Sequence, residues 1–468
     1  MAKPTYAELT RENAELRRRC EQYERRIGEL EDQVRKLTHL LEESTRAAKR
    51  QAAPFSKGEP KSNPKKPGRK PGEDYGQPSR RQPPPPDQID ETYEALLPEV
   101  CPHCGGPVEP SHIDHQYQTE IPRRPIYRRF RVHVGRCKSC GKRLQGRHPL
   151  QTSDALGAAA SQLGPDLQGA IVELNKVVGG SYDKIRRLLK SIFNLEVSNG
   201  GCAQVVLRAG RRLTSAYQAI KAAAARQPSV SVDETGWRVG GRKAWLHVVA
   251  AGKLACYVVD PHRDASAVRG VIGPTYDGAM VHDGWAPYEQ FEAARHQQCL
   301  SHLLTRCEKL LEVATRGAVR FPRAVKWLLR DALHVRARRD EGTISEHGLR
   351  ISVGRLGARL NRLLRGRRAN AANRKLADHL RRHRKELFTF LLEPGVDATN
   401  WRAEQALRPA VVNRKVWGGN RTWPGAQAQS ILMSVLQTCR LQGRNGLKFI
   451  SQTLCGHRPR LALLPAGP

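Results

Sequence analysis

PSVSVDETGWRVGGRKAWLHVVAAGKLACYVVD, residues 228–260, decides the reading of this chain. It holds three runs rich in Val, Trp, Tyr and Thr, parted by Gly240–Gly241 and by Gly252–Lys253. β-rich runs bounded by tight glycine turns predict a three-stranded meander. A helix-like piece over 264–271 and a fourth apolar run, GAMVHD at 278–283, follow. Asp233 lies in the first run and Asp283 ends the fourth. A third acid, Glu404, sits where a helix begins in TNWRAEQALRP. Acids this far apart in sequence meet only if a fold brings them together.

Three meander strands, a crossover helix and another strand open a ribonuclease H-like fold. The chain around this core has 468 residues and a net charge of +35, with 39% hydrophobic residues. It has room for several domains and a real core. The charge predicts a polyanionic partner, nucleic acid above all. No run of about 18 apolar residues is present, so no membrane span is predicted. The N-terminus has no apolar signal core and reads as cytosolic. Eleven cysteines in such a chain, four of them in CxxC pairs, favour metal over disulfides.

Outward from the core, the fold class is multidomain α+β. Residues 1–45 carry a heptad repeat with Tyr6, Asn13, Cys20, Ile27, Val34 and Leu41 at a, and Leu9, Leu16, Tyr23, Leu30, Leu37 and Ser44 at d. This predicts a coiled coil that makes a homodimer or larger assembly, with Asn13 favouring a parallel pair. Residues 46–95 are a basic, Pro-rich linker unable to bury a core. Its KPGRKPG stretch, with Lys66, Arg69 and Lys70, resembles a minor-groove hook, a flexible cationic tether being the other reading. In 96–150, CPHC (Cys101, Cys104) and CKSC (Cys137, Cys140) have the spacing of a zinc ribbon, with strands such as IYRRFRVHVGRC between them. Four thiolates would hold Zn2+ structurally, leaving no open position. Residues 151–226 read as helices with Ser181 and Ser198 as N-caps, compatible with a helix-turn-helix-like DNA-binding region. Residues 227–298 are the first part of the core, 299–395 an Arg-rich helical insertion, and 396–468 the completion of the core.

Hydrolysing or transferring a phosphodiester needs charge neutralisation at both attacking and leaving oxygens. Two divalent ions about 4 Å apart supply it, and such hard ions prefer carboxylates. Each acid also has a plain reading. Glu234 rather than Asp233 could face the site, since pleating lets only one of them do so. Asp283 could begin a turn, and Glu404 could pair with Arg408 one helical turn on. Cys299 and His302 share a helix face, but with no second ligand pair evident they read as a core Cys and a packing His. Strand parity points His282 away from Asp283.

The segments VDETGWRV, GAMVHDGWAPYEQF, CLSHLLTRC and TNWRAEQALRPAVVNRKVW resemble bacterial transposases of the insertion sequence 66 family, a DDE-type group. The resemblance covers nearly the whole chain. It implies Asp233, Asp283 and Glu404 as catalytic ligands of Mg2+ or Mn2+, and Arg408, Arg414 and Lys415 as DNA-backbone contacts. It implies double-stranded DNA, both element ends and target, as partner, a bacterial nucleoid location, and a role for accessory element-encoded proteins. Cys299 and His302 match the family's CxxH. The chain departs at Trp401, where the family has a second Asn, and at Gln405, where it has Arg. A catalytically inactive DNA-end-binding relative is the alternative function. Spacing alone does not choose Glu404, since Glu386 and Glu393 lie nearby; the resemblance does.

Overall fold

The computed structural model describes residues 83–463, apart from 120, 122, 123 and 160, together with scattered positions between 14 and 34. It divides into two units, residues 1–121 and 122–468. In the first unit the described positions between 14 and 34 are helical. The heptad residues among them, Leu16, Cys20, Tyr23, Ile27, Leu30 and Val34, are exposed. The rest of the expected coiled coil lies outside the described residues, as do Lys66, Arg69 and Lys70 of the linker.

The two CxxC pairs form the same turn. Cys101 N–H donates to Gly106 O at 2.9 Å and Gly105 N–H to Cys101 O at 2.8 Å. In the second unit, Cys137 N–H donates to Lys142 O and Gly141 N–H to Cys137 O, both at 2.9 Å. Backbone N–H groups of His103 and Cys104 hold the Cys101 thiol below its ordinary value; those of Cys140 and Ser139 do the same for Cys137. The second turn joins β1 (Val134–Arg136) to β2 (Arg143–Gln145), an antiparallel pair. Residues 126–133, expected as strand, are irregular.

Four helices follow: α1 (Pro165–Lys176), α2 (Tyr182–Phe193), α3 (Asn199–Arg212) and α4 (Thr214–Ala224). Ser181 and Ser198 cap α2 and α3, their side chains accepting from Lys184 N–H and Gly201 N–H. The sheet then forms from β3 (Ser229–Val239), β4 (Arg242–Ala251), β5 (Leu254–Asp260), β6 (Ala279–His282) and β7 (Arg295–Gln298), with α5 (Ser266–Ile272) crossing from β5 to β6. Strand order is β5-β4-β3-β6-β7. The first three strands pair antiparallel as a meander, whereas β6 runs parallel to β3 and β7 parallel to β6. The fifth strand was not anticipated. Its sequence, RHQQ, has no apolar alternation, and its buried Gln297 and Gln298 are held by hydrogen bonds instead.

Helices α6 (Leu300–Val313), α7 (Arg320–Asp340), α8 (Glu346–Leu364), α9 (Ala371–Arg382) and α10 (Thr389–Leu392) make the Arg-rich insertion. The chain returns through α11 (Trp401–Trp417), α12 (Trp423–Leu441) and α13 (Gly446–Leu454). One face of the sheet, through Val230, Val249 and Cys256, shares a buried core with Ile171, Val172 and Ile220 of the early helices and Leu432 of α12. The helical region before residue 227 is therefore a layer on the sheet, not a unit with its own core. The other face buries Leu246, Val248 and Tyr257 against Ala403, Ala406 and Ala410 of α11. The insertion surrounds a third core of Leu303, Leu328, Leu360 and Leu380, to which β6 contributes Val281. Among the described residues, no helix is long and apolar enough to cross a membrane.

Both edges of the sheet are closed by side chains. On β5 the N–H groups of Ala255, Tyr257 and Val259 point outward. They donate to Thr438 Oγ1 (3.2 Å), Ser434 Oγ (2.8 Å) and Ser430 Oγ (2.9 Å). The match is geometric: four residues of helix rise about 6 Å and two residues of strand about 6.6 Å, so hydroxyls at i, i+4 and i+8 meet alternate strand amides. On β7, Thr389 Oγ1 donates to His296 O at 2.6 Å, and Phe390 N–H donates to Gln297 Oε1 at 2.9 Å. Beneath α11, Lys176 is buried. Its Nζ donates to Gln429 Oε1 at 2.5 Å and lies 5.3 Å from the Trp417 ring centroid. Burial lowers its ammonium to about 7.

Two outcomes follow from these contacts. Ser434→Ala leaves the buried Tyr257 N–H without its acceptor and should cost about 1–3 kcal/mol in denaturant unfolding. Lys176 holds fewer protons folded than unfolded between pH 7 and its free value near 10.4, so stability should rise with pH across that window. Lys176→Met should flatten that part of the stability–pH curve; an unchanged slope would show that another group sets it.

Candidate active site

Pleating sends Asp233 and Glu234 of β3 to opposite faces, with Asp233 paired to Val248 and Glu234 to His247. Glu234 is taken up by the fold. Its Oε1 accepts from Arg263 Nε (3.2 Å) and Nη2 (3.0 Å), and its Oε2 accepts from the Tyr288 hydroxyl (2.9 Å). Its side chain is 3% exposed. Arg263 is fixed in turn, with its guanidinium 4.7 Å from the Trp245 ring centroid and 5.0 Å from that of Trp285. Asp233 instead accepts the N–H of Glu234 at 2.9 Å. Burial, then the negative charges of Glu234 and Asp283, push its carboxyl up to about 7. Sequence left the choice between these neighbours open; Arg263 and Tyr288 settle which one is occupied elsewhere.

Asp283 follows directly on β6, the strand beside β3. Its Oδ1 accepts Trp285 N–H at 2.9 Å. The turn requires Gly284: φ is +90°, and a Cβ there would lie 2.3 Å from Gln298 Oε1 and 3.0 Å from the His379 ring. His282 points into the interior, as parity predicts. It accepts Gly284 N–H on Nδ1, so its Nε2–H donates to His296 Nδ1 (3.0 Å), and His296 Nε2–H donates to Phe291 O (3.0 Å). Burial and the neighbouring His296 hold His282 near 3, neutral and away from the acids.

Glu404 occupies the first turn of α11 and is half-exposed. Its Oε1 lies 3.6 Å from Nδ1 of His302, in the first turn of α6. The adjacent Cys299 side chain, then the carboxylates of Glu404 and Asp283, raise the His302 imidazole to about 9. His302 also lowers the carboxyl of Asp233. All three predicted carboxylates thus act on, or are acted on by, this one imidazole. The ligand atoms of Cys299, His302 and Glu404 lie within 4.8 Å of one another.

A residue that sequence reasoning passed over holds these elements in register. Asn400, fully buried, precedes α11. Its Nδ2 donates to Val232 O (2.8 Å), the residue before Asp233, and its backbone N–H donates to Cys299 Sγ (3.1 Å). Its carbonyl accepts Glu404 N–H (3.0 Å), while Cys299 N–H donates to His282 O (2.7 Å), the residue before Asp283. The sequence signals were an Asn at a helix start, which reads as a cap, and its place as the first of the family's Asn pair, neither of which names a partner on the sheet. Here the side chain makes no capping bond and spans to the sheet instead.

The basic residues expected to meet DNA differ in circumstance. Arg408 and Lys415 are exposed on α11. Arg414 is engaged by β3: its Nη1 donates to Thr235 Oγ1 at 3.1 Å and to Gly236 O.

Residues 160–428, which span the early helices, the sheet and all three carboxylates, match the model of the transposase IS66 family. A comparison with curated proteins returned no match. Because the matched stretch is more than half of the chain and contains the whole arrangement just described, the protein belongs to the IS66 transposase family.

Proposed function

We propose that the protein is a DDE transposase that cuts DNA at insertion-sequence ends and joins the freed 3′-hydroxyl to target DNA, on a ribonuclease H-like core. The observation that carries this reading is the electrostatic state of Asp233. A carboxyl raised to about 7 by burial, and then by the charges of Glu234 and Asp283, is a site short of positive charge. In a chain of net charge +35, that shortage is local and marks a place for a cation.

Asp233, Asp283 and Glu404 would hold Mg2+ or Mn2+. When bound, such ions neutralise the phosphate and favour ionisation of the attacking water or hydroxyl. The chain's own part is positioning. Gly284 and the Trp285 N–H fix Asp283, the Asn400 bonds fix the start of α11, and Arg263 keeps Glu234 out of the ligand set. Arg408 and Lys415 would lie along the DNA backbone, joined by Lys66, Arg69 and Lys70 of the linker, whereas Arg414 would serve DNA only indirectly by bracing α11 on β3. Cys101, Cys104, Cys137 and Cys140 would hold a structural Zn2+; the two matching turns, with N–H groups that favour thiolates at Cys101 and Cys137, fit that donor set. Residues 1–45 would dimerise the protein through the heptad seam.

Asp233→Asn and Glu404→Gln should each lower Mg2+-dependent cleavage of an element-end duplex at least about a thousandfold, while DNA affinity stays within about threefold. Normal cutting by either variant would overturn the assignment. Mg2+ must displace the Asp233 proton below pH 7, so its affinity, measured by calorimetry, should rise about tenfold between pH 6 and pH 8.

A further inference from the structure

Cys299, His302 and Glu404 form a donor set unlike the one a magnesium ion needs. Their sulfur, nitrogen and oxygen atoms already lie within 4.8 Å of one another. Cys299 is the N-cap of α6 and His302 lies three residues on, so both face the same way; Glu404 comes from a different helix. Mg2+ takes oxygen ligands at near-ideal octahedral geometry and shuns thiolate. One thiolate, one imidazole and one carboxylate suit zinc and its neighbours, and three protein ligands leave a fourth position open to water. The Asn400 N–H pointing at Cys299 Sγ is an outer donor of the kind that orients a ligating side chain. Cys299 is 1% exposed, whereas the His302 and Glu404 side chains are 48% and 40% exposed, so an ion has an approach from the Glu404 side.

We propose that Cys299, His302 and Glu404 are a second metal site that takes a zinc-type ion and, by capturing Glu404, removes it from the carboxylate set that would hold Mg2+. The regulatory half rests on the proposed transposase reading; the binding half does not. By drawing Glu404 toward Cys299 and His302, zinc at this site acts as an inhibitor that excess Mg2+ does not readily displace, because Mg2+ does not compete for the thiolate or the imidazole.

The test uses the full chain, dialysed with Zn2+ and then against metal-free buffer, with bound zinc measured by elemental analysis. Cys299→Ser, His302→Ala and the half-exposed Glu404→Gln should each bind one zinc fewer per chain than the wild type, whatever the four CxxC cysteines hold. Equal stoichiometry in Glu404→Gln, which touches no core packing, would overturn the site. Separately, zinc just above the wild type's binding stoichiometry should inhibit Mg2+-dependent cleavage at least about tenfold. The same zinc should change the His302→Ala rate less than about twofold, each protein being normalised to its own zinc-free rate. The two readings fail in different ways. Glu404→Gln that keeps its full zinc but loses cleavage sinks the zinc site and leaves the transposase reading standing. Glu404→Gln that loses one zinc but still cuts DNA sinks the catalytic assignment and leaves the site.

Discussion

The hydrogen bonds of Asn400 are the constraint on which the arrangement depends. Glu404 lies more than a hundred residues beyond Asp283 in sequence, with the whole helical insertion between them. The Asn400 side chain ties the start of α11 to β3 at Val232, and its backbone ties it to Cys299, which is bonded in turn to the end of β6. Buried polar groups left unpaired are costly, so this set of bonds is close to all-or-none. The insertion can vary in length without moving the acids as long as both of its ends are held at these points.

A second constraint is electrical. The chain gathers negative charge at one place on a strongly basic molecule, and each acid there is treated differently. Glu234 is neutralised by an arginine that two tryptophans hold still. Asp233, a neighbour on the same strand, keeps its charge deficit uncorrected. Glu404 lies against the His302 imidazole. The fold thus removes one carboxylate from play.

Much of this was legible in the sequence, and the gaps have physical causes. The glycine turns and valine-rich runs of residues 228–260 spelled out the meander, and GAMVHD the next strand, because those strands bury apolar side chains on both covered faces of the sheet. RHQQ could not be read as a strand, since its burial is bought with glutamine hydrogen bonds rather than apolar contact. The early helices were legible as helices, caps included, but not as a layer on the sheet; amphipathicity does not name its partner. The choice between Asp233 and Glu234 turned on Arg263, remote from both in any local pattern. Cys299 and His302 looked like a packing pair because their third companion, Glu404, lies about a hundred residues away. The Asn400 role was invisible for the same reason, and Glu404 itself was reached only through family resemblance.

The hydroxyl ladder from α12 onto β5, with its counterpart on β7, bears on how copies of the protein can come together. An open sheet edge is an invitation to extend the sheet into another molecule, an association that is strong, nonspecific and hard to undo. Here that invitation is withdrawn on both sides, by three hydroxyls and by a threonine with a glutamine. Copies of the protein that meet are left to join through surfaces other than these sheet edges.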